Sequence, residues 1–142
     1  MEAIDDFQGL SETMSEVNMS SEYRGIKIPE ALKSEIQRKI VLFFEEQQVY
    51  LDQHLSLAKL SSMVGTNNAY LSSMVNYLYG CNLPTLINRY RINHAKRLLR
   101  DDKFKIKDVY KACGFVSRSV FYSAFQKETG ITPSIFVKQY NR

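Results

Sequence analysis

The sequence predicts an all-α fold in which one helical unit is built twice, on either side of a long helix. Three observations carry this expectation. Apolar residues recur at helical spacing along most of the chain, and no segment sustains the period-two alternation of a strand. Glycines and capping side chains punctuate those runs, at Gly65, Gly80, Gly114 and Gly130 and at Ser56, Asn67, Ser117 and Thr132. The stretch GTNNAYLSSMVNYLYG is also matched in pattern, fifty residues on, by GFVSRSVFYSAFQKETG.

Taken in order, residues 1–28 are rich in Ser, Glu, Asp and Met with weak periodicity, and read as a flexible acidic lead-in. Pro29 suits a first helical turn. From it an amphipathic stripe of Ala31, Leu32, Ile36, Ile40, Phe43 and Phe44 runs to about Gln48, within a segment of residues 29–54. Ser56 can cap the short helix LAKLSSMV, which Gly65 stops. Asn67 can cap NAYLSSMVNYLY, which Gly80 stops. These elements make a first unit of residues 55–82. Asn82 and Pro84 start the long helix PTLINRYRINHAKRLLR, and Asp101 and Asp102 end it, giving a linker over residues 83–102. A second unit, residues 103–142, holds the short helix KDVYKAC, the helix after Ser117, and a last piece, PSIFVKQY, begun by Thr132 and Pro133.

The repeat holds residue by residue. Asn67 matches Ser117 as cap, Leu71 matches Phe121, Met74 matches Ala124, Val75 matches Phe125 and Gly80 matches Gly130. In the second copy Val120, Phe121, Ala124 and Phe125 are expected to face a core. Phe115 and Phe136 join them, and Arg118, Ser119, Tyr122, Ser123 and Gln126 are left outside. A short helix, a glycine turn and a longer capped helix form the helix-turn-helix pattern, whose second helix lies in the major groove of DNA.

Charge supports a polyanionic partner for the second unit. The net charge of +4 hides a separation: residues 1–23 carry six acids and no Lys or Arg, whereas residues 89–142 carry 13 basic against four acidic residues, a balance of +9. Residues 51–88 hold only Asp52 and Lys59. No apolar run approaches the roughly 18 residues of a membrane span, no signal-peptide pattern opens the chain, and a cytoplasmic location is expected. Cys81 and Cys113 lack a metal-ligand spacing and read as reduced, partly buried thiols. His54 and His94 have no carboxylate or thiol partner nearby in sequence and read as ordinary polar residues.

From about Leu55 to Val137 the chain resembles the DNA-binding domain of the AraC/XylS transcription regulators. The most specific stretch is IKDVYKACGFVSRSVFYSAFQKETGITPSIFV, through Ile106, Gly114, Phe115, Ser119, Phe121, Phe125, Lys127, Gly130, Thr132, Pro133 and Ser134. LAKLSSMVGTN, LSSMVN and RINHAKRLL carry the first half, and residues 29–48 resemble the lead-in of regulators of Bacteroides type. The resemblance implies two homeodomain-like helix-turn-helix units entering successive major-groove segments. A linker of residues 84–100 is about 25 Å long, on the scale of the roughly 34 Å between groove segments.

Carried over by position, base contacts in the second unit fall to Arg118, Ser119, Tyr122 and Ser123, and in the first to Ala69, Ser72 and Ser73. Backbone contacts fall to Asn67, Asn68, Asn76, Gln126 and Lys127. Lys103, Lys105, Lys107 and Lys111, which flank the second unit, are expected to meet phosphate as well. Ser72 and Ser73 stand where many members carry long side chains, so the first unit is expected to read shape, methyl groups or water-bridged edges. Tyr77 and Tyr79 are expected to pack against the linker. Some of its basic residues should pair with Asp101, Asp102 or Asp108, and Arg91 reads as a structural salt-bridge former.

The implied partner is double-stranded DNA, with RNA polymerase as a further partner. No cofactor, metal or small-molecule site is expected, and dimerisation would run through an upstream domain or the N-terminal segment. The chain reads as a portion of a larger regulator. The competing reading is a helix-turn-helix fold kept as a protein-interaction module, which the charge-poor first unit favours. An enzyme would need paired carboxylates, an activated nucleophile, a metal cluster or a phosphate loop, and the sequence offers none of these patterns.

Overall fold

The computed structural model describes residues 26–140. The lead-in expected over residues 1–28 therefore falls almost wholly outside them, although Ile28, within them, is buried. The described residues form seven α-helices and no strand: α1 (Glu30–Val41), α2 (Leu57–Val64), α3 (Asn68–Tyr79), α4 (Leu83–Leu99), α5 (Ile106–Ala112), α6 (Arg118–Thr129) and α7 (Pro133–Tyr140).

Their ends follow from capping chemistry. Ser56 Oγ accepts from the Lys59 amide at 3.1 Å, Asn67 Oδ1 from Tyr70 at 2.8 Å and Ser117 Oγ from Val120 at 3.2 Å. Asn82 Oδ1 and Thr132 Oγ1 accept in the same way from Thr85 and Ile135. Each bond satisfies an amide that the first helical turn leaves without a partner. α1 departs from expectation at its end. Past Val41 the chain widens into a π-helical turn, Leu42–Glu46, closed by the Gln47 amide donating to the Leu42 carbonyl at 3.1 Å, and then makes a 3₁₀ turn, Val49–Leu51.

The chain forms two compact units. One comprises the described residues up to Val49 with His54–Leu86, and the other comprises Tyr50–Gln53 with the chain from Ile87 onward. The boundary falls within α4, so the long helix contributes its first turn to one unit and the rest to the other. In the first unit α1 packs on both α2 and α3. Ile36, Ile40 and Phe44 are buried there, as are Leu60, Val64, Leu71 and Leu78. Lys39 reaches from α1 to donate through Nζ to the Val64 carbonyl at 2.9 Å, and so satisfies an orphan acceptor at the end of α2.

The second unit is built on aromatic packing. Phe121 and Phe125 of α6 are fully buried among Ile92, Leu99, Val109, Phe115 and Phe136. Their rings meet at centroid distances of 5.5 Å (Phe115–Phe121), 5.8 Å (Phe121–Phe125) and 5.6 Å (Phe125–Phe136). Each buried ring contributes about 1.5–3 kcal/mol by removal from water, which fixes the face that α6 turns inward. Arg89 Nε lies 3.4 Å from Glu128 Oε1, a partner other than the aspartates expected for the linker. Arg91, expected to form a structural salt bridge, directs its guanidinium at backbone carbonyls of the Tyr50–Asp52 segment and also feels the Asp52 charge.

Candidate nucleic-acid interface

α6 separates cleanly into two faces. At about 100° per residue, Phe121, Ala124 and Phe125 define an inward arc, and all three are buried. Arg118, Ser119, Tyr122, Ser123, Gln126 and Lys127 are all exposed on the remaining surface. Arg118 and Tyr122 lie on one flank and Ser123 and Lys127 on the other, with Ser119 and Gln126 between. The four expected base-contacting residues therefore share one solvent face. Tyr122 is 38% exposed even though its ring meets Phe121 at 5.6 Å, so it packs on its neighbour while part of it stays in solvent.

Val120 corrects the expectation. The apolar stripe predicts it in the core, yet it is 47% exposed. The reason is angular: Val120 sits at the edge of the inward arc, about 90° from its centre, and in the first turn of the helix. Val116, just before the Ser117 cap, is 61% exposed.

In the first unit α3 offers a smaller surface. Asn68, Ala69 and Asn76 are exposed and Ser72 is half-buried. Asn67 is exposed, but its carbonyl oxygen is engaged as the cap of α3. Ser73, expected to meet bases, is only 7% exposed, and its Oγ is buried with no hydrogen-bond partner among the described residues. Ser73 therefore does not present a hydroxyl to an incoming ligand.

Lys103, Lys105, Lys107 and Lys111 are all exposed, along the approach to α5 and on α5 itself. The Lys103 amide donates to Asp101 Oδ1 at 3.0 Å, which shapes the turn that presents this run. α5 packs against α6, so the lysines and the exposed α6 face belong to one unit.

Other reactive groups are built into the core. Burial pushes the Cys113 thiol up to about 12, against weaker downward pulls from Arg97 and Arg91, so it stays protonated and unreactive. No group of three or more His, Cys, Asp or Glu among the described residues could hold a metal ion. No helix among them is long and apolar enough to cross a membrane.

A capped helix following a tight turn occurs in each unit, and α4 runs from one unit into the other. This arrangement defines a double helix-turn-helix domain. A family described as "Helix-turn-helix domain" matches residues 60–139, more than half the chain. The chain belongs to the AraC/XylS type of helix-turn-helix transcription regulators.

It is similar to the uncharacterized HTH-type transcriptional regulator YijO of Escherichia coli K12, at 31% identity over 102 residues, 69% of this chain and 36% of that protein. The melibiose operon regulatory protein of the same organism is 32% identical over 87 residues, 61% of this chain and 29% of that one. The chain thus spans about a third of the length of these curated relatives. Among solved structures, the DNA-binding domain of the global transcriptional factor AdpA, in complex with a target DNA, shares the fold with a TM-score of 0.66 at 17% identity. That likeness covers 75% of this chain and 92% of that one.

Proposed function

We propose that this chain is the DNA-reading portion of a larger transcription regulator, holding duplex DNA with α6 as its principal base-reading helix. The observation that carries the proposal is the division of α6, with one face anchored by fully buried Phe121 and Phe125 and the other exposing Arg118, Ser119, Tyr122 and Ser123. A guanidinium pairs two hydrogen bonds with the N7 and O6 of guanine, and such a contact discriminates by about 1–3 kcal/mol. Arg118 takes that role. The hydroxyls of Ser119, Tyr122 and Ser123 serve as shorter donors and acceptors beside it.

Lys103, Lys105, Lys107 and Lys111 hold phosphate, with Gln126 and Lys127 a turn further along α6. On α3, Ala69 and Ser72 approach the bases, while Asn67, Asn68 and Asn76 lie nearer the sugar-phosphate chain. The function is binding without a chemical step, in the cytoplasm, with RNA polymerase as the further partner. Dimerisation, where it occurs, runs through segments upstream of this domain.

The test is selection of bound sequences from a random duplex pool, followed by titration of the selected site between 50 and 200 mM salt. Four lysine contacts alone give a log–log slope of about −3.6, roughly a 150-fold loss of affinity over that range. Replacing Lys105 and Lys107 with Gln should flatten the slope by about 2 and weaken specific and random DNA alike. Failure to enrich any sequence, with binding indifferent to salt, would favour a protein-interaction module instead.

A further inference from the structure

Two valines beside the exposed α6 face have no role in the reading above. Val116 and Val120 are 61% and 47% exposed, while the rest of the aromatic and apolar side chains of this turn and helix are buried or, like Tyr122, partly packed. A single exposed valine needs no explanation. Here two stand four residues apart in sequence, Val116 just ahead of the Ser117 cap and Val120 in the first turn of α6, on the same flank of the helix as Ser123 and Lys127. A residue in the place of Val116 commonly packs on the fourth residue of the helix as a staple. That residue is Phe121, which is fully buried, yet most of the Val116 side chain remains uncovered.

Val120 is held rigidly. The Val120 amide donates to the Ser117 cap, and a β-branched side chain in a helix has essentially one rotamer. Its methyl groups therefore stand at a fixed height beside side chains that make hydrogen bonds, with the exposed Val116 just ahead of the cap. In the major groove, thymine is the base that presents a C5-methyl group next to an acceptor, and an apolar side chain is what recognises it.

We infer that Val116 and Val120 form a thymine-reading edge of α6, seating the C5-methyl of a thymine while Arg118 reads guanine from the opposite flank. The inference rests on the DNA-binding role proposed above and adds a second, apolar kind of readout to the same helix. A serine at position 123 and a lysine at position 127 continue the edge, one able to reach the neighbouring O4 and the other a phosphate.

The experiment replaces each thymine of the selected site, one at a time, with uracil, which removes the methyl group and leaves every hydrogen-bonding atom and phosphate in place. One or two positions should lose affinity by a factor of about 3–5, the value of one buried methyl. At those positions the Val116→Ala and Val120→Ala variants should bind thymine and uracil nearly equally, with thermal melting unchanged or raised for Val120→Ala. Binding to the selected duplex with no uracil-sensitive position overturns the inference and leaves the DNA-binding role standing. A thymine preference that persists in the double variant overturns it as well. Absence of binding to any duplex overturns both.

Discussion

Arg91 Nε donates to the backbone carbonyl of Tyr50 at 2.6 Å, joining α4 to a segment 41 residues earlier in the chain. Its Nη2 donates to the Asp52 carbonyl at 2.9 Å, and the guanidinium lies 5.4 Å from the centroid of the Phe115 ring. Burial draws Arg91 below its ordinary pKa, opposed first by the charge of Asp52, but a guanidinium so far above neutrality stays charged. Three groups of the second unit thus converge on one planar side chain. An ammonium cannot reproduce that fork. Arg91→Lys should lower stability by about 1.5–3 kcal/mol, the worth of a hydrogen bond to a charged group or of a carbonyl left unpaired. Chemical denaturation compared with wild type measures it, and a loss below about 0.5 kcal/mol would deny Arg91 this role.

The same segment constrains Gly114. Its φ is +87°, and a Cβ built there would lie 2.6 Å from the Tyr50 carbonyl oxygen and 2.9 Å from that of Leu51. Gly130 has a similar φ of +80° with nothing within 4 Å of such an atom. The left-handed conformation alone costs an alanine about 1–2 kcal/mol, and both positions bear that cost. Only Gly114 adds a steric overlap with main-chain atoms. Gly114→Ala should therefore destabilise by clearly more than Gly130→Ala, by at least about 2 kcal/mol beyond it, as judged from midpoints of thermal unfolding. Equal losses would mean that the Tyr50–Leu51 segment gives way.

The contrast between these glycines marks what was legible in the sequence. Gly130 as a helix stop follows from neighbours within a few residues, as do the caps at Ser56, Asn67 and Ser117, and all of these were readable. The second need of Gly114, room for a segment more than sixty residues away, is a tertiary contact that no local pattern encodes. The backbone acceptors of Arg91 were illegible for the same reason, since they are main-chain oxygens present at every residue. Val120 and Ser73 were misplaced by treating a helix face as having a sharp edge. A β-branched residue 90° from the centre of the arc stands in solvent, and a serine well away from the apolar stripe of α3 is buried. The recognition helix itself was legible, because repeat, cap and apolar stripe coincide there.

His94 supplies a pH dependence. Its ring meets Tyr50 edge-on at 6.2 Å, and its Nδ1 lies 3.1 Å from Arg97 Nη2, which makes that nitrogen an acceptor and the ring neutral. Burial, and then the Arg97 charge, hold its pKa below the ordinary 6.5. The unfolded chain accordingly takes up a proton near pH 6.5 while the folded chain resists until a lower pH. Stability from this source is complete above that point and falls as pH drops through it towards the lowered value. His94→Gln keeps an acceptor for Arg97 and cannot titrate. Between pH 7.5 and 5.5, where carboxylates change little, the melting temperature of wild type should fall more steeply than that of the variant. Parallel curves would show that His94 is not the titrating group.

Ser73 and Arg118 test whether the two units share the work of reading DNA. Arg118 is exposed on the hydrogen-bonding face of α6, and its loss should cost about 1–3 kcal/mol of binding while relaxing preference at one base pair. Ser73 holds the corresponding position of Ser123 in the repeat but is buried with an unpartnered hydroxyl. Ser73→Ala removes that unsatisfied oxygen and places a better helix former in α3. It should leave DNA affinity unchanged and raise stability by about 0.5–1 kcal/mol. Titration of both variants on one selected site, with a melting curve for each, separates the two effects. A Ser73→Ala variant that loses as much affinity as Arg118→Ala would mean that α3 reshapes itself on DNA to bring the serine out, and the unequal division between the units would fall.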